Sequence, residues 1–265
     1  MNIMETIEIR NLTTGYPTRR GFVEIEKNLT ATLRSGELTC LLGPNGAGKS
    51  TLLRTLSGFL MPLKGTITID GKELRTYTQQ ELARKLGVVL TEKPDATSMT
   101  VEQLVGLGRS PYTGFWGRLT GHDERVVRRS MELAHVWHMR QRLVSTLSDG
   151  ERQKAMIAKA LAQETPVIFL DEPTAFLDFQ SKVETMLLLK KLAVEEGKII
   201  FQSTHDVNMA LELADRIWLV DKNIGVVIGT PCELAEAGEL QKYFHGPGIR
   251  FNQETGLFDI VATSL

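Results

Sequence analysis

Net charge is nearly absent from this chain: 31 Lys and Arg stand against 32 Asp and Glu in 265 residues, leaving −1. A protein that holds nucleic acid through its phosphates carries a basic excess, so no nucleic-acid partner is expected. Cysteine is scarce as well. Cys40 and Cys232 lie far apart, without the spacing of a metal site or a disulfide framework. Cys40 falls inside the apolar run Leu38–Leu42 and reads as a reduced core thiol, which suits a reducing compartment. Long hydrophobic runs are missing: stretches such as Val167–Leu170 and Met186–Leu189 fall far short of the roughly 18 residues that cross a bilayer. Any work at a membrane is therefore expected to pass through another chain. Met1–Arg10 alternates polar and apolar residues and lacks the basic start and apolar core of a signal peptide. No internal repeat or low-complexity segment is present.

What remains is ordinary globular composition, 42% hydrophobic, enough for a sizeable core in one large domain or two small ones. Thr6–Leu12 alternates like a strand, Glu24–Leu33 continues in that manner, and Leu38–Leu42 suits a buried strand. A glycine-rich loop leads into a helix from about Lys49 to Ser57. Further strands are expected at Thr66–Asp70 and Gly87–Leu90. From Lys93 to Glu164 the pattern turns helical, with a Gly/Pro/aromatic stretch, 108–121, between two helices. Strands return at Val167–Leu170, Ile199–Ser203 and Arg216–Val220, separated by helices over Gln180–Glu196 and Asp206–Ala214. Strands alternating with helices indicate an α/β core with a largely parallel sheet; the helical run indicates an inserted subdomain. Gln241–Leu265 is less legible, with Gly256 marking a hairpin turn.

Gly43-Pro44-Asn45-Gly46-Ala47-Gly48-Lys49-Ser50 matches G-x-x-x-x-G-K-[ST] between an expected strand and helix. Its glycines let backbone N–H groups approach phosphate oxygens without a Cβ in the way. The helix beginning at Lys49, Ser50 and Thr51 aims its positive end at the same anion. Lys49 supplies charge for the β- and γ-phosphates, and the Ser50 hydroxyl reaches Mg²⁺. The strand Val167–Leu170 ends in Asp171-Glu172. Asp171 can hold Mg²⁺, mainly through water, and Glu172 can serve as base for the attacking water. ATP and Mg²⁺ are the expected ligands.

Those two motifs belong to many NTPases. Leu147-Ser148-Asp149-Gly150-Glu151 narrows the field, because it resembles the Leu-Ser-Gly-Gly-Gln signature of the ABC (ATP-binding cassette) family. Ala175-Phe176-Leu177-Asp178 resembles that family's D-loop. His205 resembles its switch histidine, and Tyr16 stands where it places an aromatic against adenine. The resemblance covers about residues 6 to 235. It implies a P-loop NTPase (RecA-like) α/β core with an antiparallel β part and an inserted α-helical subdomain. The expected division is residues 1–92 and 165–235 as core, 93–164 as helical subdomain and 236–265 as a C-terminal extension. It also implies that Ser148 and Gly150 face the γ-phosphate of a nucleotide held by a second subunit, with Asp178 nearby and His205 as a γ-phosphate donor.

Ser148 with Glu151 three positions on is also a capping box at a helix start. That explains both residues but not Gly150, a poor helix former, for which close phosphate approach is the expected reason. Asp149 departs from the family's glycine and should point away from nucleotide. Each motif occurs once, so two chains are needed to complete either site, and a homodimer with two ATP at its interface is expected. Arg109-Ser-Pro-Tyr112, within 100–112, and Leu161-Ala-Gln-Glu-Thr165 resemble the importer branch for iron–siderophore, haem and cobalamin. That branch implies an integral membrane permease, a periplasmic or lipoprotein substrate-binding protein acting indirectly, and a peripheral place on the cytoplasmic face of the membrane. A soluble ABC ATPase of iron–sulfur assembly, translation or DNA maintenance is the alternative. Where the family has a glutamine touching Mg²⁺, this chain has Thr91 and Glu92; the longer, charged Glu92 is expected to reach the metal shell in the closed dimer.

Overall fold

The computed structural model describes residues 6–18, 21–90, 98–114, 117–246 and 248–261. It opens with β1 (Thr6–Thr18), β2 (Gly21–Arg34), β3 (Leu38–Leu42), α1 (Lys49–Leu56), β4 (Lys64–Ile69) and β5 (Lys72–Glu73). Next come α2 (Gln79–Ala83), β6 (Leu86–Val89), α3 (Val101–Gly106), α4 (Gly121–Leu133), α5 (Asp149–Ala162), β7 (Val167–Asp171) and α6 (Phe179–Glu196). The chain then continues through β8 (Ile199–Ser203), α7 (Val207–Leu213), β9 (Arg216–Asp221) and β10 (Gly225–Gly229). It closes with α8 (Pro231–Glu236), α9 (Glu239–Tyr243), β11 (Ile249–Asn252) and β12 (Leu257–Ile260). Met1–Thr76 with Leu189–Leu265 forms one unit, and Tyr77–Leu188 forms a second.

In the first unit, β1 runs antiparallel to both β2 and β4. Its alternation buries Ile7 and Ile9, while Arg10 and Glu8 meet on the other face at 2.7 Å. β1 extends to Thr18, past the expected end at Leu12, because pairing with β2 continues from Thr14↔Glu26 to Thr18↔Gly21. The polar pair Thr13-Thr14 masks that continuation in the sequence pattern.

β3 lies between two parallel neighbours, β8 and β9, and β10 closes antiparallel on β9. Every residue of β3 and of β8 is buried, as strands covered on both faces require. Burial of each large aliphatic chain here stabilises the fold by roughly 1.5–3 kcal/mol. Phe201 meets Trp218 edge to face, ring centroids 5.1 Å apart. The Cys40 thiol is buried and accepts from Gln202 Nε2 at 3.2 Å. Burial pushes it up to about 12, so it stays a protonated core group, as its sequence context implied.

In the second unit, β6 and β7 pair in parallel. α3, α4 and α5 each begin with a capping box, at Thr100, Thr120 and Ser148. The stretch 108–121 holds neither strand nor α-helix before α4 among its described residues. There Arg109, only 2% exposed, ties the helices together. Its Nε donates to Asp123 Oδ1 at 2.8 Å, and its Nη1 to Ala162 O at 2.8 Å and Glu164 Oε2 at 2.6 Å. The guanidinium lies 4.1 Å from the Tyr112 ring centroid, and Tyr112 Oη donates to Gln163 O at 3.0 Å. The two segments that resemble the importer branch thus touch each other. A helix end stopped by Pro111 does not account for Arg109; a buried ion network does.

Hydrogen bonds from Thr120, then Arg109, hold the Asp123 carboxyl at about 2 against an ordinary 3.8. Its stabilising share is therefore present above the ordinary value and is lost as pH falls towards 2. Arg109→Ala leaves the buried Asp123 carboxylate with Thr120 alone and without its cation, and is expected to cost on the order of 3 kcal/mol. A denaturation midpoint equal to wild type would show that the network contributes nothing.

Gly256, at φ 70°, sits in the turn between β11 and β12, as the sequence indicated. The strand β10 and the helices α2, α8 and α9 were not legible from periodicity, being too short to show one.

Candidate functional site

β3 ends at Leu42 and the glycine-rich loop follows at the carboxyl end of the parallel strands. Its shape depends on missing Cβ atoms. A Cβ at Gly43 would lie 2.2 Å from Val220 O, and one at Gly48 would lie 2.2 Å from Ile25 Cγ2. Gly46 and Gly48 take φ values of 76° and 107°, which favour glycine. Pro44, Asn45 and Gly46 are exposed, Ala47 is buried, and Ser50 is exposed with Thr51 half-buried. Lys49 is 5% exposed and folds back over the loop, its Nζ donating to Gly43 O at 2.8 Å and Pro44 O at 3.2 Å. A convergent ammonium, a glycine-shaped loop exposed at residues 44–46 and the first turn of α1 form a cradle suited to a polyphosphate.

β8 is the parallel neighbour of β3, with Leu41 opposite Ser203. Thr204 N donates to Leu41 O at 3.1 Å, so the exposed His205 leaves the sheet at the same end as the loop. The strand pairing thus sets His205 and the loop 43–51 side by side in topology. Tyr16, 43% exposed, belongs to this unit too, opposite Val23.

In the second unit β7 ends on Asp171, 8% exposed, and Glu172 follows at φ 49°. Among the described residues, Glu164, Glu172 and Phe176 are the positive-φ residues other than Asn, Asp, His and Gly. Such conformations cost about 1–3 kcal/mol and gather at functional sites. Two of these three, Glu172 and Phe176, fall in the segment between β7 and α6. Asp178 caps α6: its Oδ1 accepts from Ser181 N at 2.7 Å, which pulls its carboxyl below the usual range.

Ser148 Oγ accepts from Glu151 N at 3.2 Å while Glu151 Oε2 accepts from Ser148 N at 2.8 Å. The Ser148 backbone bond, aided by Arg142 at 2.8 Å, lowers the Glu151 carboxyl. Arg152 holds Asp149 at 2.9 Å and Leu147 O at 3.0 Å. A Cβ on Gly150 would lie 2.8 Å from Ser181 Oγ. The glycine therefore has a packing reason that the sequence did not reveal: α5 and α6 begin against each other, joined further along by Lys154 and Glu184. Thr91 and Glu92 lie outside the described residues.

Four further residues that shape these segments escaped sequence reading. Ile25, Val220, Arg152 and Ser181 support the loop and the α5 start through contacts that no local motif announces. Ser50 and Asp171 offer hard oxygen donors of the kind Mg²⁺ takes. Among the described residues no group of three or more His, Cys, Asp or Glu is placed to hold a metal ion. Nor is any described helix long and apolar enough to cross a membrane.

Comparison with known proteins agrees with this chemistry. A family model described as ABC transporter matches residues 26–175. An uncharacterised ABC transporter ATP-binding protein of Methanocaldococcus jannaschii is 36% identical over 96% of this chain and 86% of its own length. The ferric enterobactin transport ATP-binding protein of Escherichia coli is 36% identical over 88% of this chain and 84% of its own. Among solved structures, a chain of a metal-chelate type ABC transporter in an inward-facing conformation superposes with TM-score 0.79 at 27% identity, covering 97% of both chains.

Proposed function

The chain belongs to the ABC transporter family as an ATP-binding subunit and is an ATPase of the P-loop α/β fold, and from that premise we propose that it powers import of an iron chelate, haem or cobalamin through a separate permease. One observation carries the cargo class: the ferric enterobactin relative and the metal-chelate transporter chain match along nearly the whole length of this chain. Cassettes of this family work as dimers with membrane permeases. In this reading two copies enclose two ATP, residues 93–164 form the helical subdomain between core segments 1–92 and 165–235, and 236–265 form an extension. The subunit lies on the cytoplasmic face of the membrane, with a periplasmic or lipoprotein binding protein delivering cargo to the permease.

Each side chain has a role that its chemistry supports. Lys49 and the backbone N–H groups of the loop 43–51, Pro44 excepted, hold the phosphates, and Tyr16 stacks on adenine. Ser50 and Asp171 would hold Mg²⁺, with Glu92 as a further candidate carboxylate donor; the ion would supply charge neutralisation for the transferred phosphoryl group. Glu172 takes a proton from the attacking water, and His205 donates to a γ-phosphate oxygen. Ser148 and Gly150 present the α5 start to the γ-phosphate held by the partner copy, with Asp178 close to that interface. Arg152 draws the Asp149 carboxylate onto its own helix, which limits its repulsion of that phosphate.

A cavity of about 1090 Å³ in the helical unit, lined by residues including Met99, Gln103, Leu107, Leu119, Arg128 and Trp137, suits a short amphipathic helix of the permease. Co-purification from solubilised membranes, followed by ATP-dependent uptake into vesicles holding both chains, tests the reading. Uptake of a ferric siderophore, haem or cobalamin is expected. Recovery with soluble partners only would overturn it in favour of an assembly, translation or DNA-maintenance ATPase.

A further inference from the structure

β11 and β12 form a small packed body of their own. Phe258 meets Phe244 and Phe251 edge to face, with centroids 5.6 and 5.2 Å apart, and Phe251 is buried. Asn252 Oδ1 orders the turn by accepting from Glu254 N at 2.9 Å and Thr255 N at 3.3 Å. Upstream, Tyr243 Oη donates to Gly225 O at 3.0 Å, fixing the end of α9 to β10. This body grips one element beyond α9. Asn208, the second residue of α7, donates from Nδ2 to Phe258 O at 3.0 Å and accepts at Oδ1 from Phe258 N at 2.9 Å. A side-chain amide thereby pairs with one residue of β12 as a neighbouring strand would.

The place of that grip in the chain matters. Thr204 is fully buried and its N–H is bound to Leu41 O on β3. Asn208 is bound to β12. Between these anchors lie three residues, His205, Asp206 and Val207, drawn tight by Val207 N to His205 O at 3.0 Å and Asp206 N to Thr204 Oγ1 at 3.1 Å. One anchor stands on the strand that launches the glycine-rich loop, the other on the C-terminal hairpin. We infer that the hairpin fixes the His205 loop for hydrolysis, with Asn208 as the positioning residue that connects them. A hinge that small needs only a modest shift to carry an imidazole out of reach, and misplacement by about 1 Å costs up to about 100-fold in rate.

The inference rests on the reading of His205 as a γ-phosphate donor, and the test separates the two. Full-length Asn208→Ala removes the amide that grips Phe258, while Phe258→Ala keeps the backbone N–H and C=O but removes the ring that packs the hairpin and so loosens the strand the amide holds. Each is expected to lower kcat about 10-fold while ADP affinity stays within about 2-fold of wild type, since a displaced group acts on the transition state and not on ground-state binding. Asn208→Asp keeps the acceptor for Phe258 N and is expected to fall between. Amide exchange should quicken over 204–213 and not over 43–56. In a His205→Ala background, single-turnover rates should show little further loss from Asn208→Ala, because coupled residues are not additive. Unchanged kcat in Asn208→Ala, or the same loss with and without His205, would overturn the positioning role. Wild-type turnover in His205→Ala would instead overturn the reading of the histidine itself.

Discussion

Glu172→Gln is expected to lower ATP turnover by about 10²- to 10⁴-fold, the usual weight of a positioned general base, while ATP still binds. The amide keeps the size and hydrogen-bonding reach of the side chain but cannot accept the proton of the attacking water. The backbone strengthens the expectation. Glu172 is held at φ 49° directly beyond the buried end of β7, a conformation that costs energy for a residue with a Cβ. A solvated strand edge has no need of it; a carboxylate that must be aimed does. With hydrolysis blocked and binding intact, the variant should gather as an ATP-bound pair of chains, seen as a shift to dimer mass when ATP is present. Turnover equal to wild type would remove Glu172 from the role of base.

Much of this protein is legible without coordinates, for reasons that differ by segment. Strands β3, β7, β8 and β9 are buried on at least one face and written in aliphatic residues, so composition betrays them within a residue of their ends. The loop 43–51 and the acids 171–172 are legible because phosphate chemistry restricts residue type at fixed spacing. Cap chemistry announced the start of α5, since Ser148 and Glu151 satisfy each other's backbone within three positions. Long-range contacts are the unreadable part. Nothing near Gly150 reveals that Ser181 fills the space beside it, and nothing near Arg109 announces Asp123 and Glu164 as partners. Asn208 looks like an ordinary polar residue of an exposed helix until β12 is set against it. The hairpin itself is short and half-exposed, so its alternation covers too few residues to stand out.

Lys49→Ala is expected to have the second large effect, this time on binding. In the structure the ammonium is nearly enclosed, with contacts to Gly43 O and Pro44 O that hold it within the arc the phosphates would enter. Exchange of those carbonyls for phosphate oxygens turns neutral acceptors into charged ones, each such bond worth about 1.5–3 kcal/mol. Loss of one or two of them corresponds to roughly 10- to 10⁴-fold weaker binding of ATP. ADP should suffer less if, as proposed, the lysine spans the β- and γ-phosphates, since ADP offers only the first. The alanine also removes the ammonium from Gly43 O, while Pro44 O keeps Ala47 N at 3.2 Å, so the variant should unfold somewhat more easily. Lys49→Met, which keeps the aliphatic stem, separates the lost volume from the lost charge. Titration calorimetry with ATP and ADP on both variants decides the matter. Equal affinities for wild type and Lys49→Met would mean that the charge of Lys49 does not hold phosphate, and the cradle would then act through its backbone N–H groups alone.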